Sequence, residues 1–308
     1  MQLIRGLHNL QADPRGCVVT IGNFDGVHLG HQEVLAQVVD KAAELSLPSV
    51  LMTFEPYPSE FFQHGEIPPR LTRFREKMEV LRRFSIERVI SLRFDESLCS
   101  LEADEFIQQI LVEKLAARYV VIGDDFRFGK GRTGDFAMLK AAGKQYDFEV
   151  ASMHTFEIMG DRVSSTRIRS ALQSGELGFA EQLLGRPYRM SGRVAHGDKR
   201  GRTIGFPTAN IHLHRKASPV RGVYAVEMYG VDGEPVPGVA NVGIRPTVNG
   251  TRAQLEVHLF GFSDDIYGRH VQVEFRHKLR EEQRFESFDA LKAQIEKDAL
   301  KAKEFFKI

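Results

Sequence analysis

The stretch CVVTIGNFDGVHLGHQ, residues 17 to 32, joins an apolar run to a segment with helical periodicity. The apolar run from Cys17 to Ile21 predicts a buried strand, and the segment from Gln32 to Leu45 predicts a helix. Three glycines and two histidines fill the turn between them. Such a turn either reverses the chain or forms a cradle for an anion, because a helix N-terminus offers unpaired N–H groups and the positive end of the helix dipole.

The spacing of Gly22, Gly26 and Gly30 fits neither the G-x-G-x-x-G fingerprint nor the P-loop. His28 and His31 are three residues apart, so both can face one side of the predicted helix and donate hydrogen bonds to phosphate oxygens. Glycine at position 30 would let the backbone approach that phosphate. The alternative is a histidine pair on the surface beside a turn, and spacing alone does not decide between the two.

The pattern of apolar runs and turn residues changes near residue 186. Before it, five strand-like runs alternate with helical patterns: CVVTI, SVLMTF, RVISLRF, YVVIG and FEVASM. This alternation predicts a parallel sheet with crossover helices, and ligands bind such sheets at the carboxyl ends of the strands. After residue 187, short alternating strands separated by Gly, Pro and Asp turns predict an antiparallel barrel or sandwich, followed by an amphipathic helix from Phe288 to Phe305. We therefore predict domains at residues 1–182 and 183–308, with the linker in LLGRPYRMSG.

Bulk properties exclude several classes of protein. A formal net charge of +1 over 308 residues is not that of a nucleic-acid binder. Two cysteines without framework spacing argue against a disulfide scaffold or a thiolate metal site. No apolar run is long enough to span a membrane, and the N-terminus lacks the apolar middle of a signal peptide, which predicts a cytoplasmic location.

The H-x-G-H element after a strand resembles the nucleotidyltransferase superfamily. The fuller string GNFDGVHLGH resembles the FMN adenylyltransferase module of bacterial bifunctional riboflavin kinase/FAD synthetases. Three further stretches match that family in order, and the resemblance covers essentially the whole chain: GDDFRFG at 123–129, SSTRIRSAL at 164–172 and GRTIGFPTAN at 201–210.

The resemblance implies a Rossmann-like nucleotidyltransferase domain followed by a riboflavin kinase β-barrel. It implies that the C-terminal domain converts riboflavin and ATP to FMN and ADP, and that the N-terminal domain converts FMN and ATP to FAD and pyrophosphate. Both steps would use Mg²⁺. The expected partners are the small molecules riboflavin, FMN and ATP, with no nucleic acid or membrane, and the expected state is a monomer or a weak homo-oligomer.

Adenylyl transfer needs no general base, because the attacking FMN phosphate is already ionised at neutral pH. The site must instead align two repelling phosphates and neutralise the charge that develops on them. The resemblance implies catalytic roles for His28, His31 and Arg167. It implies nucleotide or flavin contacts for Gly22, Phe24, Asp25, Gly30, Asp125, Ser164, Ser165, Thr166 and Arg169. Three alternatives stay open: SSTRIR as an ordinary N-cap with a solvated basic face, GDDFRFG as a turn with buried phenylalanines, and Asp25 as a residue that only orients its turn.

Riboflavin phosphorylation does benefit from a base, because the ribityl hydroxyl is not ionised near pH 7. By the resemblance, that base is Glu256 in QLEVHLF, although alternation alone would make it a solvent-facing strand residue. Thr208 and Asn210 share a face of an extended segment and can hold Mg²⁺. Around them, the expected nucleotide-binding residues are Gly201 and Gly205, which let the backbone approach phosphates, Arg202, which neutralises charge, and Pro207, which stiffens the segment. GFPTAN can also be an ordinary β-turn.

Three other functions compete with this interpretation. A monofunctional adenylyltransferase with a β-rich oligomerisation or flavin-sensing domain would share the first half of the chain. A noncatalytic flavin-binding regulator would bind flavin without ATP turnover. A tRNA-modifying relative of the nucleotidyltransferases would need a more basic surface than this composition supplies.

Overall fold

A computed structural model describes residues 1–10, 13–62, 67–153, 156–195, 206–215, 217–247 and 250–308. The chain divides into two compact units. The first comprises Met1–Pro68 and Arg73–Ser164, and the second comprises Pro69–Thr72 and Ser165–Ile308.

The first unit contains a six-stranded sheet in the order β1-β4-β3-β2-β5-β6, and every pair in it is parallel. The strands are β1 Gln2–Arg5, β2 Cys17–Ile21, β3 Ser49–Phe54, β4 Arg88–Leu92, β5 Ala117–Gly123 and β6 Glu149–Met153. A short antiparallel pair, β7 Glu157–Ile158 and β8 Asp161–Arg162, follows them. The predicted parallel sheet is confirmed.

Helices cover both faces of this sheet. They are α1 Leu29–Leu45, α2 Pro58–Phe62, α3 Phe74–Leu81, α4 Glu96–Cys99, α5 Ala103–Glu105 and α6 Phe136–Tyr146, and α5 continues as a π-helix over Phe106–Lys114. Along β2, Val18 packs in one core cluster while Val19 and Ile21 pack in the other. Because neighbouring side chains point to opposite faces, burial on both sides makes the strand apolar throughout, which is why its sequence reads as a continuous apolar run.

The strand order reverses direction at β2. From β2 the chain moves through β3 to β4 on one side, whereas β5 and β6 lie on the other side. In an open parallel sheet, ligands bind outside the carboxyl ends of the strands at such a switch point. The turn Gly22–His28 follows β2, and the stretch GDDFRFG begins at the last residue of β5, so both lie at this point.

The second unit contains a closed six-stranded antiparallel barrel in the order β10-β13-β12-β11-β14-β9. Its strands are β9 Arg189–Ala195, β10 Ala209–His212, β11 Gly222–Asp232, β12 Glu234–Thr247, β13 Gly250–Leu259 and β14 His270–Arg280. Its helices are α7 Ser165–Ser174, α8 Leu177–Leu184 and α9 Phe288–Phe306. The predicted barrel and terminal helix are confirmed.

Several elements were not predicted from the sequence, among them β1, β10 and α8. The edge strand β1 buries Ile4 alone among its four residues, so it carries no apolar run. Strand β10 is also four residues long and follows a proline-containing turn. Helix α8 lies in the span between the predicted sheet and barrel, and it includes Leu183 and Leu184, the first two residues of the predicted linker.

The contacts assign α7 and α8 to the unit that holds the barrel, whereas the predicted domain boundary lies at 182/183. That boundary stays a prediction. In the part of the chain that the structure describes, no helix combines the length and apolarity needed to cross a membrane.

Candidate active sites

The two histidines of the first motif lie together at the start of α1. His28 is the N-cap residue, and its Nδ1 accepts a hydrogen bond from the backbone N–H of His31 at 3.3 Å. The two imidazole rings stack with their centroids 3.6 Å apart and an angle of 16° between the ring planes. Helix α1 begins at Leu29, so His28 precedes the helix and reaches His31 by capping it. Because Nδ1 of His28 accepts, its neutral ring carries the proton on Nε2.

The turn before His28 has an unusual backbone. Phe24 and Val27 have φ values of 49° and 43°, and both side chains are buried. Positive φ is unfavourable for residues with a Cβ, and it persists where the surrounding structure fixes it. A Cβ at Gly22 would lie 3.2 Å from the Phe24 ring, so glycine at this position leaves room for that ring. The burial of these two side chains is therefore one of the contacts that fix the turn.

A buried polar network lies around this turn. Asp25 is 4% exposed, and its Oδ1 accepts a hydrogen bond from Tyr57 Oη at 3.4 Å. Lys77 of α3 donates to the Asn23 carbonyl at 2.7 Å and contacts Thr53 Oγ1 at 3.1 Å. Sequence reasoning missed Lys77, Thr53 and Tyr57, because none of them belongs to the short motif and Lys77 lies in an ordinary amphipathic helix.

The stretch GDDFRFG places an ion pair and two aromatic rings after β5. Asp125 and Asp124 contact Arg162 at 2.8 and 3.3 Å, and the bond from Asp125 raises the pKa of that guanidinium. Phe128 belongs to the buried core, and Phe126 packs partly against it with ring centroids 5.6 Å apart. The alternative interpretation of buried phenylalanines therefore describes Phe128, whereas Asp125 is exposed and stays a predicted contact of the nucleotide.

The basic motif SSTRIR spans the residues at which the chain passes from the first unit to the second. Ser164 ends the first unit, and α7 begins at Ser165 in the second. Within the second unit, the Arg167 guanidinium lies 4.9 Å from the centroid of the Phe179 ring. Arg169 donates Nε to the Pro69 carbonyl at 2.8 Å. The predicted phosphate contacts of this motif, which include Thr166, stay predictions.

The barrel brings Asn210 and Glu256 together. They face each other in the register between β10 and β13. Gln254, on the same face of β13 as Glu256, donates Nε2 to Asn210 Oδ1 at 3.0 Å and to Glu256 Oε1 at 2.8 Å. Glu256 is half-buried and alternates with the buried Leu255 and Val257, and its role as the base stays a prediction. Sequence reasoning missed Gln254, because its role appears only when β10 pairs beside it.

The segment before β10 is fixed by β13 as well. The Pro207 carbonyl lies 2.9 Å from Nδ1 of His258, and the Phe206 ring lies 5.1 Å from the same imidazole. Thr208 follows directly, half-buried, before β10 begins. Three predicted phosphate-binding residues lie outside the described residues: Gly201, Arg202 and Gly205.

Among the described residues, no group of three or more His, Cys, Asp or Glu side chains is arranged to hold a metal ion. Both cysteines are free thiols, and burial raises the pKa of Cys17 to about 12, which keeps that thiol protonated.

Comparison with known proteins follows the same division of the chain. Residues 10–167 match the family described as FAD synthetase, and residues 184–306 match the family described as riboflavin kinase. Two relatives are named bifunctional riboflavin kinase/FMN adenylyltransferase. The protein of Escherichia coli (strain K12) is 53% identical over 99% of this chain and 98% of its own. That of Haemophilus influenzae is 54% identical over 99% of both chains.

A solved structure described as a macrolide-efflux protein from Streptococcus pneumoniae matches with a TM-score of 0.81 and 34% identity, over 97% of each chain. This likeness supports the fold of the chain. The two family matches and the full-length relatives together show that the chain belongs to the family of bifunctional riboflavin kinase/FMN adenylyltransferases.

Proposed function

We propose that the chain makes FAD from riboflavin in two steps, one in each unit. The barrel unit converts riboflavin and ATP to FMN and ADP, and the parallel-sheet unit converts FMN and ATP to FAD and pyrophosphate. Membership of the family supports both activities. The observation that supports a different reaction in each unit is the chemistry of their side chains. One unit has a stacked histidine pair at a helix N-terminus, and the other has a carboxylate hydrogen-bonded to an amide.

In the adenylyl site, an FMN phosphate oxygen attacks the α-phosphorus of ATP, and the bond to the pyrophosphate oxygen breaks. No proton has to leave the nucleophile. His28 and His31 supply hydrogen-bond donors where negative charge increases, and the N-terminus of α1 adds the positive end of its dipole. The hydrogen bond from the His31 amide orients the His28 ring, so this donor is aligned before the substrate binds. On the resemblance of SSTRIRSAL to the family alone, we propose that Arg167 and Arg169 bind the leaving pyrophosphate.

In the kinase site, the ribityl hydroxyl attacks the γ-phosphorus of ATP and ADP leaves. Glu256 accepts the hydroxyl proton as the new bond forms. Gln254 holds the Glu256 carboxylate through Oε1, and the same amide group holds Oδ1 of Asn210. One side chain therefore fixes the distance between the base and the candidate metal ligand.

Two oxygen atoms near the start of β10 are of the kind that Mg²⁺ prefers. They are the Asn210 amide oxygen and the Thr208 hydroxyl, and Mg²⁺ commonly completes its shell with ATP phosphates and water. When bound, the ion would neutralise charge on the transferring phosphoryl group. In the first unit, Asp25 is the candidate carboxylate ligand.

Separate product assays test the proposal against its competitors. With riboflavin, ATP and Mg²⁺, ADP release is expected; with FMN in place of riboflavin, pyrophosphate release is expected. A monofunctional adenylyltransferase would give pyrophosphate only. A regulator would bind flavin and release neither product.

Three further features complete the proposal. We place the domain boundary at 182/183, between the two segments that match the families.

We propose a monomer or a weak homo-oligomer that acts on small molecules and not on nucleic acid, and sedimentation over a range of concentrations tests its state. The charge balance and the free thiols support a cytoplasmic location, which cell fractionation tests.

A further inference from the structure

Lys77 is a lysine with no exposed surface. It lies on α3, and its side chain is 0% exposed. Its ammonium donates to the Asn23 carbonyl at 2.7 Å, contacts Thr53 Oγ1 at 3.1 Å and lies 4.7 Å from the centroid of the Tyr57 ring. Burying an ammonium group is unfavourable unless polar partners replace its water. We therefore looked to its polar contacts for the function of this buried ammonium group.

These three groups lie at the carboxyl edge of the sheet. Thr53 belongs to β3, Tyr57 follows that strand, and Asn23 follows β2 in the turn that leads to the histidine pair. Thr53 Oγ1 also donates to the Asn23 carbonyl at 3.3 Å. Tyr57, whose ring faces the ammonium, donates its hydroxyl to Asp25. Lys77 is thus the shared contact of the groups that hold this turn.

The turn needs such support. Two of its residues have positive φ despite carrying a Cβ, and such conformations cost on the order of 1–3 kcal/mol each. An apolar side chain of the same length would fill the space, but it could neither donate to Asn23 nor place a positive charge there. A fixed charge in a poorly solvated position acts more strongly on nearby anions than a charge in water.

We propose that Lys77 is a positioning residue for adenylyl transfer. It holds the Asn23–Asp25 turn through the Asn23 carbonyl, and its charge favours the ATP phosphates at the start of α1. The inference rests on the proposed placement of ATP beside His28 and His31. Lys77 acts through the turn and through its charge.

The test compares Lys77→Met with Leu81→Ala in the full-length protein. Methionine keeps most of the length of the side chain and removes its charge. Leu81 lies one helical turn further along α3, is also 0% exposed and belongs to an apolar core cluster, so its truncation removes packing without removing a charge. Steady-state rates of FAD formation are measured with ATP and FMN varied separately, together with the melting temperature and the rate of riboflavin phosphorylation.

For Lys77→Met, kcat/KM for ATP should fall at least tenfold, with a raised KM for ATP and an unchanged KM for FMN. Riboflavin phosphorylation in the other unit should stay within twofold of the wild type. Leu81→Ala should lower the melting temperature and leave both KM values unchanged. Loss of folded protein alone would lower kcat and leave the KM for ATP as it was, so an unchanged KM for ATP in Lys77→Met overturns the inference.

Two further variants keep the test decisive. If Lys77→Met melts below the assay temperature, Thr53→Val removes the hydroxyl shared by Lys77 and Asn23 with little change of shape, and it should raise the KM for ATP about threefold. No change in Thr53→Val would then overturn the inference. His31→Ala distinguishes failure of the proposed ATP site from failure of the Lys77 inference. If His31→Ala leaves FAD formation intact, the placement of ATP is wrong. If His31→Ala loses FAD formation while Lys77→Met behaves normally, the Lys77 inference alone is rejected.

Discussion

At the scale of the residue, the stacked imidazoles of His28 and His31 give the most direct prediction. Replacing His31 with alanine removes a donor from the proposed phosphate site and exposes the stacked face of His28. FAD formation from FMN should fall on the order of a hundredfold, the usual effect of removing one donor to a developing charge. Riboflavin phosphorylation should remain near normal. His8→Ala, an exposed histidine of the same unit, is the control, and equal loss of both activities in His31→Ala would contradict separate sites.

Glu256 gives the corresponding prediction for the barrel. Glu256→Gln is nearly isosteric and removes the basic oxygen, so riboflavin phosphorylation should drop by about a hundredfold or more. FAD formation from supplied FMN should not change, because it takes place in the other unit. Glu234→Gln, an exposed position at the start of β12, controls for the loss of one negative charge. Unchanged kinase turnover in Glu256→Gln would remove this residue from the mechanism.

Gln254 acts through Glu256, and a double-mutant cycle can show this. Gln254→Leu should lower kinase turnover about tenfold in the wild type, because the carboxylate loses a donor 2.8 Å away. In the Glu256→Gln background the same change should have less than about a twofold effect, since contacting residues that act together are not additive. Kinase kcat of the four proteins is the measurement. Fully additive losses would mean that Gln254 contributes only to the stability of the barrel.

At the scale of the element, α8 gives a prediction about where the barrel unit begins. Its buried side chains include Leu177 and Ala180, and the helix packs against β14. A fragment of residues 183–308 begins near the end of α8 and loses these contacts, whereas a fragment of residues 165–308 keeps them. Burying a leucine stabilises by roughly 1.5–3 kcal/mol, so the longer fragment should melt several degrees higher. Thermal melts of both fragments test this; equal melting temperatures would show that α8 does not stabilise the barrel.

Strong hydrophobic patterns predicted the elements, and weak ones did not. Strand β2 is buried on both faces, so CVVTI stands out from its surroundings. Strand β1 lies at the edge of the sheet and β10 has only four residues, so neither shows a comparable pattern. Their position is set by pairing with β4 and β13, which are distant in sequence.

Residues of the candidate sites were likewise predicted where a local sequence pattern marks them and missed where none does. The glycines and histidines after β2 indicate the turn in the sequence, because neighbouring residues determine its backbone and the start of α1. Lys77 is 54 residues from the carbonyl it holds, and Gln254 is 44 residues from Asn210. Such supporting residues have no local signal, and only the folded chain reveals them.

At the scale of the whole molecule, the two reactions attack different phosphorus atoms of ATP. Kinase chemistry transfers the γ-phosphoryl group and benefits from a base, whereas adenylyl transfer breaks the bond at the α-phosphorus and needs donors but no base. The parallel-sheet unit offers the histidine pair and the barrel unit offers Glu256 with Gln254. Two unlike sites on two units match the two requirements.

ATP labelled at a single phosphorus tests this claim most directly. Purified protein is incubated with riboflavin, Mg²⁺ and ATP carrying label at either the γ or the α position, and the flavins are separated by chromatography over time. FMN should appear first and carry only γ label, and FAD should follow and acquire α label as well. Label from the α position in FMN, or riboflavin left unchanged, would contradict the account.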